Sequence, residues 1–139
     1  MQSTQSAALK AGIDRQTSAL VLPAYRMQVA TFRASFFRLN CVLKVENPSP
    51  FKVRQNVSNV VLVWKSALKM DKNLRRGMNP DDFAIIKDEI KQWAEYRRDI
   101  AYKAIQFATD NFDCYQDVSP FTEMERMIAK EIKFIHSLL

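Results

Sequence analysis

Between Asn79 and Phe107, apolar side chains return every three or four positions: Phe83, Ile86, Ile90, Trp93, Ile100, Ala104 and Phe107. Arg97 alone breaks the row. That period belongs to one face of a helix. Asn79-Pro80-Asp81-Asp82 supplies a start signal, with a capping amide, a proline at the first helical position and two carboxylates facing free N–H groups. The pattern predicts a helix over about 80–108, a rod of about 45 Å at ~1.5 Å per residue, with Trp93 in the core. A seam of that length needs partners. Leu22, Tyr25, Val29, Phe32, Phe36, Leu39 and Leu43 predict a helix over about 22–43, starting near Pro23. After a turn at Glu46-Asn47-Pro48-Ser49-Pro50, where Ser49 can cap, Val53, Val57, Val60, Trp64 and Ala67 predict a second over about 50–70, with Val61 and Leu68 widening its face. The run Val60-Val61-Leu62-Val63-Trp64 also suits a buried strand. No other stretch offers a strand to pair with it, so helix is the better reading. Asp71–Met78, with Gly77, reads as a connector. Ser119-Pro120 repeats the cap-then-proline signal ahead of Phe121, Met124, Ile128, Ile132, Ile135 and Leu139, predicting a last helix over about 120–138. The expected fold is all-α, an antiparallel three-helix bundle with an additional C-terminal helix.

The length of 139 residues suits a single domain. Residues 1–19, rich in Ser, Thr, Gln and Ala, read as a flexible tail or a targeting-like segment. Residues 20–139 form the helical domain. No apolar run approaches the roughly 18 residues of a membrane span. Cys41 and Cys114 form no CxxC pattern and read as reduced thiols.

Charge adds a polarity that the apolar pattern does not contain. Residues 1–78 carry 13 Lys and Arg against 3 Asp and Glu, whereas residues 79–139 carry 8 against 12. Either the halves neutralise each other within one fold, or the first half meets an acidic partner. Arg26, Ala30, Arg33 and Phe37 form a second row on the first helix, mixing charge with an aromatic. It reads either as arginines lying over the core edge or as a docking strip. Lys69, Lys72, Arg75 and Arg76 cluster around the connector, as a solvated loop or an anion-facing patch.

Catalytic signatures are absent. The lone His136 lacks the companions of a zinc site. No GxSxG or HExxH occurs, and Gly12 and Gly77 cannot build a phosphate-cradling loop. Neither catalytic nor metal-ligating residues are assigned, and a non-enzymatic role is expected.

Ala24-Tyr25-Arg26, followed on the same helix by Phe36 and Phe37, resembles the LYR-motif proteins of mitochondria, with Ala24 in place of the leading leucine. Phe51-Lys52-Val53-Arg54 is similar to the basic start of that family's second helix. Lys72-Asn73 through Pro80-Asp81 is similar to its turn before an Asp-led third helix. The resemblance covers residues 20–108 and leaves 109–139 as a helical extension. It implies a matrix-side interaction subunit, such as an accessory subunit of respiratory complex I, that docks an acidic acyl carrier protein. Tyr25, Arg26, Arg33, Lys52 and Arg54 would bind the partner. Phe32, Phe36, Val57 and Val61 would line a slot for the acyl chain, and the alternative for these four is plain core. The protein itself would hold no cofactor, and acyl-phosphopantetheine would arrive on the carrier. The competing reading of the basic first half is a helical nucleic-acid binder, such as a small viral capsid or RNA-binding protein.

Overall fold

The computed structural model describes the backbone of residues 2–138 and the side chains of residues 21–138. Four α-helices account for nearly all of it: α1 (Gln2–Lys44), α2 (Pro50–Gly77), α3 (Pro80–Asp110) and α4 (Ser119–His136), with a single 3-10 turn at Phe112–Cys114. No strand occurs among the described residues. Val60–Trp64 is helical, with Val60, Val61 and Trp64 buried.

α1 packs against both α2 and α3, and α4 packs against the same two from the other side. Contacts ascend together along α1 and α3, from Arg26–Glu89 to Arg33–Tyr96. They also ascend together along α2 and α4, from Arg54–Asp117 to Arg75–Ser137. Each of these pairs is therefore parallel, and consecutive helices are antiparallel. The expected seams form the core: Phe36, Leu39, Val57, Trp64, Ile86, Ile90 and Met124 are completely buried. Phe36 sets its ring edge-on to Trp64 and to Trp93, at 5.6 and 5.4 Å between centroids. That geometry suits the aromatic quadrupole.

Three boundaries differ from expectation. α1 does not start near Pro23 but runs through it from Gln2. The separate segment expected over 1–19 has side chains outside the described residues. α2 does not end at Met70. It continues through the supposed connector to Gly77, because Asp71 is buried on its inner face, Leu74 packs on the core, and the Met78 N–H closes on the Leu74 carbonyl. Gly77 ends the helix without positive φ, and Asn79 then caps α3, accepting from the Asp81 and Asp82 N–H groups at 2.8 and 3.2 Å. At α4, Ser119 lies inside the helix instead of capping it. Asp117 accepts the Ser119 N–H at 2.9 Å, and this bond, first among its interactions, holds the Asp117 carboxyl below the usual range. Leu139 lies outside the described residues, and Leu138 fills the end of the core.

Candidate functional site

The second row on α1 borders an open concavity of about 520 Å³ between α1 and α3. Arg26, Ala30 and Arg33 stand on one wall, and Glu89, Gln92 and Tyr96 on the other, with Tyr25 and Trp93 beneath. Adjacent residues on a helix point about 100° apart, so Tyr25 and Arg26 part company: Tyr25 is buried and Arg26 is 60% exposed. Arg26 Nε reaches both Glu89 carboxylate oxygens, at 3.1 and 3.2 Å. That contact raises the guanidinium pKa further. The Arg33 guanidinium lies over the Tyr96 ring at 4.6 Å, and Tyr96 stacks on Trp93. The result is a cationic lip on an aromatic base.

Below that base lies a buried ionic cluster. Arg97 donates through Nε to both oxygens of Glu131, at 3.1 and 3.3 Å, and through Nη2 to Asp71 at 3.2 Å. All three residues are completely buried. Trp64 Nε1 donates to Glu131, and the Arg97 guanidinium lies 4.8 Å from the centre of the Trp93 ring. One residue each from α2, α3 and α4 thus meets at one point, and the Tyr25 hydroxyl of α1 faces Asp71. Burial pushes the Asp71 carboxyl up to about 6 and the Glu131 carboxyl up to about 7, with Arg97 opposing in both cases. One guanidinium serves two buried carboxyls, so a proton on either of them leaves the cluster neutral. Burial, then Asp71, raises the Tyr25 hydroxyl in turn.

The proposed partner-binding residues fall into two groups. Arg26 and Arg33 share the α1–α3 lip with Tyr25 beneath. Lys52 and Arg54 do not join them. Arg54 lies 17 residues before Asp71, which is level with Tyr25, a separation of about 25 Å along the helix. There it donates to the Asp117 carbonyl and carboxylate at 3.0 and 2.8 Å. The supposed slot residues are mostly core: Phe36 and Val57 are completely buried and Val61 nearly so. Phe32 borders an opening, an α1–α2 concavity of about 480 Å³ shared with Met70 and Leu74.

The sequence reading did not identify the ionic cluster, although a signal was present. Arg97, Asp71 and Glu131 each occupy a position where the helical period calls for an apolar residue. Among the described residues, no group of His, Cys, Asp and Glu is placed to hold a metal ion, and both cysteines are free and exposed. No described helix is long and apolar enough to cross a membrane. Compared with family models, curated proteins and solved structures, the chain matches none.

Proposed function

We propose that the protein is a non-catalytic docking subunit, resembling the LYR-motif accessory subunits of respiratory complex I, which receives an acidic acyl carrier protein on its α1–α3 face on the matrix side of mitochondria. The observation that carries this reading is the division of labour within Tyr25-Arg26. The tyrosine is buried in the core, which fixes the rotation of α1. The arginine is thereby held at the lip of a concavity, beside Arg33. Its present partner Glu89 is itself 32% exposed, and an ion pair so open to water contributes little to stability. A carboxylate or phosphate on a docking protein can take the place of Glu89 at small cost. The aromatic base formed by Trp93 and Tyr96 then offers apolar contact under the charged rim, the composition expected where binding energy concentrates. Phe32 borders the α1–α2 concavity and not the docking face, and an acyl chain delivered there would reach Phe36, Val57 and Val61 only by displacing core side chains.

Arg26→Ala is expected to weaken binding of acylated carrier by about 30-fold or more, as for loss of one partner of a desolvated charge pair, and to leave the melting curve unchanged. Arg54→Ala, whose guanidinium lies at the other end of the bundle, is expected to change affinity only slightly. Calorimetric titration of parent and variants with the carrier checks both. Equal binding by the parent and Arg26→Ala would reduce Arg26 to an ordinary surface charge, and a larger loss from Arg54→Ala would move the interface to the start of α2.

A further inference from the structure

A second basic surface lies on the opposite pair of helices. α2 and α4 are parallel, so their C-terminal turns emerge side by side. Between them is an open concavity of about 710 Å³ whose rim carries Lys72, Arg75 and Arg76 from α2 and Lys130 and Lys133 from α4. All five are exposed. Among the described residues none forms a salt bridge, and no acidic side chain lines the concavity. The acids adjacent to them in sequence, Asp71 and Glu131, turn inward onto Arg97. Compensation of the helix dipoles accounts for Arg75, Arg76 and Lys133, which stand in the last turns. It does not account for Lys72 and Lys130, because the dipole effect falls off within the final turn. Arg75 is also pre-oriented: its guanidinium donates to the Ser137 hydroxyl and, at 2.8 Å, to the Ser137 carbonyl.

We propose that this α2–α4 concavity is a binding site for a compact cluster of phosphate groups, presented by a small polyphosphorylated molecule or by a phosphorylated lipid headgroup. Five cations without a salt bridge among the described residues converge on one hollow and suit several phosphate charges held close together. A nucleic-acid duplex is disfavoured, because the cations enclose a hollow instead of following a long backbone. No exposed aromatic side chain stands there to stack on a base. None of the large exposed apolar side chains lines the site either, so contact with a lipid would be with its headgroup alone.

The test uses the full chain and three probes: sodium tripolyphosphate, phosphatidylcholine vesicles doped with phosphatidic acid, and a short DNA duplex. The variant is Lys72→Ala/Lys130→Ala, and Lys44→Ala/Lys103→Ala is a control that removes the same charge elsewhere. Tripolyphosphate is expected to bind the parent and the control alike, and the Lys72→Ala/Lys130→Ala protein about tenfold or more weakly, a loss of ~1.4 kcal/mol or greater. Vesicle binding that tripolyphosphate displaces assigns the site to a headgroup. Tripolyphosphate binding without vesicle binding assigns it to a soluble ligand. The inference is overturned if neither tripolyphosphate nor the doped vesicles bind, or if the control loses as much affinity as the variant. It is equally overturned if the duplex binds more tightly than tripolyphosphate and both double variants weaken it equally.

Discussion

Arg97→Met is expected to destabilise the protein by about 3–5 kcal/mol, the cost of leaving buried carboxyl groups without their cation. Asp71 and Glu131 both rely on this guanidinium, and neither has access to water. Urea unfolding of parent and variant measures the loss. Glu131→Gln is a milder change. Its amide oxygen can still accept from Trp64 and Arg97, so the shape of the cluster survives while one titrating group disappears. The two carboxyls also make stability depend on pH. Both bind a proton more tightly in the folded protein, at about 6 and about 7, than the ordinary carboxyl values of 3.8 and 4.5. The stabilisation that this protonation confers is complete below about pH 4 and is lost as pH rises through the folded values, because the folded state there holds more protons than the unfolded chain. Each of the two groups contributes a decline of at most about 1.4 kcal/mol per pH unit. Unfolding free energies measured across that window should fall with pH in the parent and flatten in Glu131→Gln. A rise with pH in the parent would show that Arg97 holds both carboxyls ionised.

Trp64→Ala is the second large effect, at about 3–5 kcal/mol for truncation of a fully buried large aromatic. Trp64 is completely buried, edge-packed by Phe36, and is the indole donor to Glu131. Truncation therefore opens a cavity and removes a hydrogen bond in the same place. Trp64→Phe separates the two contributions. It retains much of the packing and gives up the donor, while Glu131 keeps its bonds from Arg97, so its cost should be closer to the ~0.5–3 kcal/mol of one lost hydrogen bond. Thermal and urea denaturation of both variants checks this. Equal losses would assign the whole contribution of Trp64 to its hydrogen bond.

The helices were legible because their apolar period is regular. Phe83, Ile86, Ile90 and Trp93 on α3, and Val53, Val57, Val60 and Trp64 on α2, face the core as their spacing predicts. The caps at Ser49 and Asn79 were legible for a local reason, since a capping side chain and a following proline act within one turn. The far end of α2 was not. Polar Asp71, Lys72 and Asn73 followed by Gly77 look like a connector, and what keeps the helix going is Arg97, 26 residues away in sequence and in contact only after folding. The ionic cluster was hidden for the same reason. A charged residue in an apolar row reads as an interruption until its partners on other helices are known. Of the candidate site, the Tyr25-Arg26 split was readable from helical geometry. The separation of Arg54 from Arg26 depends on the tertiary arrangement, in which Arg54 meets Asp117 at one end and Tyr25 meets Asp71 further along.

Mass spectrometry of the protein purified natively from its source tests the docking proposal most directly. The account predicts a co-purifying small acidic protein whose mass includes an acyl-pantetheine arm, and its loss when Arg26→Ala protein is purified in the same way. Co-purifying nucleic acid, visible in the ultraviolet absorbance, with no such carrier in the spectrum would contradict the account and favour a nucleic-acid-binding role for the basic half of the chain.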